Sequence, residues 1–254
     1  MAEETTVIAL VIVGLAVLLF YLYITSIEKV FERIGFTKGE AGTILAITFI
    51  LGWITIPLFK YNGWWVGISI GGGLIPLIIC VTLLKSKRVN LAELTIGIII
   101  AAYTTYFVTR AEDGVGIVAD LPLAFAPALA AGLFSMSTFW ADLSKAAPLA
   151  YTSGVLGTLI GADVFHLGEM LSFTPPVDQT VILSVGGANI FDMVYLTGIV
   201  AVAVDILVFW VKKQESKRGF GTVVAEFKRG AETLPYAKDV VPVPKLEPGR
   251  KGKL

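Results

Sequence analysis

Asp163 and Asp192 each stand beside glycines inside a long apolar run, GVLGTLIGADVFHLGEML and VILSVGGANIFDMVYLTGIVAVAVDIL. A carboxylate in such surroundings is costly unless it faces a partner, water or a substrate, so this pair is the first place to look for chemistry. Asp163, His166 and Glu169 follow one another at i, i+3 and i+6, which on an α-helix makes a slanting stripe of neighbours. His166 is the only histidine of the chain. With Asp192, these groups have the types required for a proton relay, a cation site or a carboxylate pair sharing one proton. Taken alone, His166 is better read as a locally hydrogen-bonded structural residue. Asp120, between AEDGVGIVAD and LPLAFAPAL, can line a vestibule or cap the following helix, and capping is favoured. Asp205, further along the last apolar run, is a lesser candidate of the same kind as Asp163. One histidine among scattered carboxylates offers no metal-ligand spacing, so neither a metal nor another cofactor is expected.

Two glycine clusters flank this chemistry. GISIGGGLIPL at 67–77 and ILSVGGANIFD at 182–192 align without a gap, 115 residues apart, matching Ser69 with Ser184 and Gly71–Gly72 with Gly186–Gly187. The echo implies three helices, a linker helix and three more, a 3+1+3 parallel repeat of the sort transporters use. In the second segment, β-branched residues followed by Gly186 and Gly187 favour an extended or unwound backbone before a helix restarts near Asn189. Such backbone is tolerated at membrane depth only against protein or a water-filled cavity, which makes Gly186, Gly187 and Asn189 candidate lining residues. Isolated glycines such as Gly157 and Gly161 are read instead as points of close helix approach.

The elements that must position these groups are membrane helices. With 56% hydrophobic and 16% charged residues in 254, and a mean hydropathy of +0.79, the chain is more apolar than a soluble domain. Apolar runs at 6–25, 41–59, 64–84, 93–109, 116–138, 147–171 and 190–211 each approach the length that crosses about 30 Å of hydrocarbon. The fold class expected is therefore all-α, with about seven transmembrane helices. Prolines 122 and 127 would kink the fifth. The segment 26–40 has apolar residues at Ile27, Val30, Phe31 and Ile34, the spacing of an amphipathic helix that either lies on the membrane surface or packs on the bundle.

Lys29, Arg33, Lys38, Lys85, Lys87, Arg88 and Lys145 fall in alternate connections, and Lys212 and Lys213 open the tail. The positive-inside bias then puts the N-terminus outside and the C-terminus in the cytoplasm. Residues 1–212 are expected to form the bundle, and 213–254 a mostly disordered charged tail with a short helix around 222–231. A single cysteine, Cys80, excludes an internal disulfide framework.

GGGLIPLIICVTLL at 71–84, APLAYTSGVLGTLIGADVFHL at 147–167 and SVGGANIFDMVYLTGIVAV at 184–202 together resemble the DUF1614 family of uncharacterised prokaryotic membrane proteins. The resemblance covers roughly 40–205 and carries the residue types of Gly161, Asp163, Gly186, Gly187, Asp192 and Gly198, with Asn189 in place of a small residue. It implies a multi-pass protein of the cytoplasmic membrane but lends no activity.

Two aspartates among broken helices fit translocation of a small solute or ion, by a transporter or channel coupled to protons or cations. The alternatives are an intramembrane aspartyl hydrolase and a structural scaffold. Against the hydrolase, GAD at 161–163 and FD at 191–192 resemble the presenilin-like GxGD and YD elements in reversed order, and PAL at 127–129 precedes both. The expected partners are the bilayer and a small solute or ion. Nucleic acid is not expected, and a homo-oligomer is compatible with the sequence.

Overall fold

The computed structural model describes residues 2–140, 142–175, 182–187 and 192–233, with side chains from residue 9 to residue 214 of that set. The chain divides into two units, Met1–Phe209 and Trp210–Leu254. Helix dominates the first, in keeping with an all-α, membrane-type fold. Three helical stretches, Ala9–Ile34, Leu91–Val108 and Met193–Gln214, are long and apolar enough to cross a membrane by length and composition, and Ile70–Lys85 and Leu123–Thr138 are shorter apolar helices.

Helix α1, Ala2–Ile34, leads the chain. It is exposed from Leu10 to Leu22, whereas Ile27, Val30, Phe31 and Ile34 are buried at its end. The amphipathic pattern at 26–34 thus packs into the bundle and does not lie on a surface. Phe31 meets Tyr151 and Tyr195 edge-on, at ring separations of 6.2 and 6.3 Å, in the centre of the core. Helix α2, Lys38–Leu51, begins with a capping box in which Thr37 and Glu40 satisfy each other's backbone, one of the stronger local start signals.

After Leu51 the structure departs from the expected run of spans. The segment 41–59 does not stay helical. It turns into strand β1, Thr55–Tyr61, which pairs antiparallel with β2, Trp64–Ser69. The run 64–84 therefore enters as a strand, passes through a π-helical turn at Ile70–Leu74, and becomes α3, Ile75–Lys85. The composition TIPLFKY and WWVGIS explains this, since β-branched and aromatic residues favour strand wherever a run is too short to secure a helix. The outer edge of β1 carries Pro57 and a register slip between Pro57 and Phe59, two devices that blunt an open sheet edge.

Helix α4, Leu91–Val108, leads into a hairpin of β3, Thr109–Glu112, and β4, Gly116–Ala119. The fifth apolar run thus starts as a strand, and α5 occupies only Ala126–Thr138. Pro127 sits in its first turn, where a proline starts a helix without kinking it. Helix α6, Leu143–Thr158, continues through a second π-helical turn, Leu159–Val164, into α7, Phe165–Met170. Strand β5, Ile182–Val185, joins the first sheet parallel to β2, giving the order β1-β2-β5.

The last helix, α8, spans Met193–Thr233. It runs without a break through the short helix expected near 222–231 and ends at Thr233, because extending an existing helix avoids the unfavourable nucleation step. Residues 234–254 lie outside the described set.

The hairpin provides a prediction of its own. Arg110 donates to Asp120 through Nη1 at 2.6 Å and Nη2 at 3.2 Å, and to Glu112 through Nε at 2.7 Å. The Arg110 guanidinium holds the Asp120 carboxyl below its ordinary value. The folded hairpin is thus favoured above the unfolded carboxyl's titration range, and this support is lost as pH falls through the lowered folded value. Acidification should lower the protection factors of the 109–119 amides, that is, exchange corrected for its intrinsic pH dependence, and Asp120→Asn should reproduce that loss of protection at neutral pH. These groups are solvent-exposed, so the effect should shrink in high salt.

Candidate functional site

Asp163 lies in the π-helical turn between α6 and α7. Such turns interrupt the helical ladder and are frequent at functional sites. The interruption also shifts side-chain phase, and it separates the expected stripe. Asp163 faces a cavity, while His166 is buried against α4. The His166 ring stacks on Tyr106 at 4.9 Å, its Nε2 is 3.2 Å from Thr109 Oγ1, and its Nδ1 is 3.2 Å from Glu169 Oε2. All of its polar capacity is used locally, as for a structural histidine. Glu169 is half exposed and is not part of the cavity wall. Asp120 neither caps α5 with its side chain nor reaches the cavity, because it is held by Arg110.

Asp192 is not within a span but immediately ahead of α8. Its Oδ1 accepts the Val194 N–H at 2.8 Å, and its carbonyl accepts from Leu196 at 2.8 Å. This is N-cap geometry, with a carboxylate at the positive end of a long helix. Asparagine caps as well as aspartate, so Asp192→Asn should leave the unfolding midpoint nearly unchanged. Asp192→Ala should lose about 1 kcal/mol. Thermal unfolding of the two variants at one scan rate checks this and identifies the Asn variant as the clean test of charge.

Asp163 and Asp192 line one cavity of about 540 Å³. Its walls come from β2 (Trp64, Val66), the hairpin tip at Gly114–Ile117, the end of α7, strand β5 and the head of α8. Trp64 is buried, and its Nε1 donates to the Phe173 carbonyl at 3.0 Å, fixing the indole in the wall. Ser184 also lines the cavity and pairs with Thr55 across the sheet at 2.9 Å. Asp163 makes no hydrogen bond or salt bridge among the described residues. From Ala146 to Val211 the sequence contains no lysine or arginine, although it contains Asp163, Glu169, Asp178, Asp192 and Asp205.

The two glycine clusters meet beside the cavity, with Gly187 in its wall. Gly186 has φ +72° and lies against the backbone of Gly72 and Gly73. The two segments that echo in sequence are thus neighbours in space. The β-ladder pairs Gly67 with Ser184, two residues off the sequence alignment, a slip that keeps side chains on the same face. Asn189 lies outside the described residues. No group of three or more potential metal ligands occurs among the described residues.

The residue that sequence reasoning ranked too low is Asp205. It is fully buried, and Ser135 Oγ of α5 lies 2.9 and 2.8 Å from its two oxygens and 2.8 Å from the Gly132 carbonyl. A single hydroxyl proton faces three acceptor oxygens, so this pair is a second polar point in an otherwise apolar helix contact. The signal was present as an acidic residue at helical spacing from the small residues packing against α5.

A fold dominated by apolar helices, three of them long and apolar enough to cross a membrane, is that of a helical, membrane-type protein. The chain matches the family model described as "Protein of unknown function (DUF1614)" over residues 22–204, more than half of its length, and it belongs to that family. No curated protein and no solved structure matches it.

Proposed function

We propose that the protein translocates a small solute or ion across a prokaryotic cytoplasmic membrane, with Asp163 and Asp192 binding a cation or exchanging protons. The proposed orientation places the N-terminus outside, residues 1–212 in the bundle and 213–254 on the cytoplasmic side, following the distribution of lysine and arginine. The observation that carries the reading is that two carboxylates from separate elements share one cavity, in a stretch of chain that supplies no lysine or arginine to neutralise them. Protons or a cationic ligand are the partners that such an acidic site favours.

The test is flux. Purified protein in liposomes with an internal pH dye is exposed to imposed proton and sodium gradients, comparing wild type with Asp163→Asn and Asp192→Asn. The expected result is a wild-type flux reduced roughly tenfold or more in each folded variant, the scale of losing a charge-assisted interaction. Equal flux in all three proteins would remove the aspartates from the reading. Absence of flux throughout, with cleavage of a model transmembrane peptide, would move the same carboxylate pair to hydrolysis.

A further inference from the structure

We propose that the Asp163–Asp192 cavity binds a small organic ammonium ion, its charged end at the carboxylates and its apolar body against the wall formed by Trp64, Met170, Phe173 and Met193. This deepens, and rests on, the reading of that cavity as a substrate site.

Three observations narrow the ligand. The first is sign. Both ionisable groups in the described wall are carboxylates, and the nearest arginine in the hairpin, Arg110, is already engaged by Asp120 and Glu112. An anion would meet like charge, whereas a cation would meet two carboxylates of opposite sign. The second is size. A volume of about 540 Å³ lies in the range of organic-ligand pockets and greatly exceeds what a bare proton or a dehydrated metal ion needs. The third is wall chemistry. Thioether, indole and phenyl groups make poor ligands for a hard cation but suit an alkyl or aryl body, and aromatic faces attract ammonium groups. Asp163, with no hydrogen-bond or salt-bridge partner among the described residues, is the anchor. Asp192 adds a second carboxylate to the same wall, held in place by the Val194 cap and by further interactions.

The experiment measures binding of benzylammonium to wild-type protein in nanodiscs by calorimetry and by the change in Trp64 emission, with benzyl alcohol and benzoate as neutral and anionic isosteres. Wild type should bind the ammonium at least about tenfold more tightly than either isostere. Asp163→Asn should remove that preference while leaving the thermal midpoint within the range of wild type. Trp64→Phe should abolish the fluorescence change but keep the calorimetric signal. Equal binding of all three probes, or preference for benzoate, would overturn the proposal, and so would retention of the preference by Asp163→Asn. If that variant fails to fold, the isostere comparison on wild type still decides. Ammonium binding without gradient-driven uptake would keep the ligand class and discard transport. Proton or sodium flux with no ammonium preference would do the reverse.

Discussion

Replacing Gly186 by alanine is expected to destabilise the protein by roughly 2–5 kcal/mol and to abolish ligand-dependent change at Trp64. Two effects add. The residue has φ +72°, a left-handed conformation that costs a non-glycine residue about 1–3 kcal/mol. A Cβ there would also lie 2.7 Å from the Gly72 carbonyl oxygen and closer still to the Gly73 nitrogen and the Gly72 carbonyl carbon. Those neighbours are backbone and cannot swing away, so the β5 turn must lift from the β2–α3 junction. The cavity wall shifts in the same movement, because Ser184, Val185 and Gly187 all belong to it. Thermal unfolding in detergent, read by Trp emission at one scan rate, measures the loss. Gly168→Ala is the control. Nothing lies within 4 Å of a Cβ at that position, and alanine in place of a helical glycine should be neutral or mildly stabilising.

Gly161→Val should be nearly as severe, but through a different contact. The π-helical turn brings Gly161 against α4 so closely that a Cβ would stand 2.6 Å from Thr105 Cβ and collide with the Ala102 carbonyl oxygen. One turn earlier, Gly157 meets Ala101 and Ala102 in the same way. The seam between α4 and α6 is therefore set at backbone contact, the geometry small residues permit between membrane helices. Forcing it open should cost on the order of 1–3 kcal/mol or more and rotate Asp163 away from Asp192. The Asp163→Asn variant, by contrast, should leave the seam intact. A Gly161→Val protein that unfolds at the wild-type midpoint and retains cation flux would break the link between this seam and the site.

Much of the architecture is legible in the residues. The apolar runs disclose the helices, the Gly-Gly sequence after β-branched residues discloses the extended stretch at 182–185, and the isolated glycines 157 and 161 disclose close helix packing. What the runs do not disclose is strand. Segments 55–61 and 64–69 continue the apolar runs of the helices that flank them, and an apolar run of six or seven residues has no period that separates helix from strand. Pairing decides, and β2, besides its neighbour β1, pairs with β5 more than a hundred residues away. The π-helical turn at 159–164 is equally silent in sequence, which is why the Asp163–His166–Glu169 stripe, drawn for a regular helix, divides between a cavity and a packed seam. Asp192 reads as a mid-span acid because its run of apolar neighbours continues through it, whereas the chain uses it to begin α8.

The parallel pairing of β2 with β5 has a mechanical consequence. Helices packed by side chains can slide or rotate past one another in small increments, but a strand held in a ladder has only discrete positions. A one-residue step of β5 would turn Ser184 out of the cavity, and a two-residue step would part Gly186 from Gly72 and Gly73. Between those steps there is no gentle gradient. The β2–β5 wall therefore behaves as a fixed jaw, and any change in the width of this cavity would come from the other parts of its wall, the hairpin tip at 114–117 and the Asp163 turn.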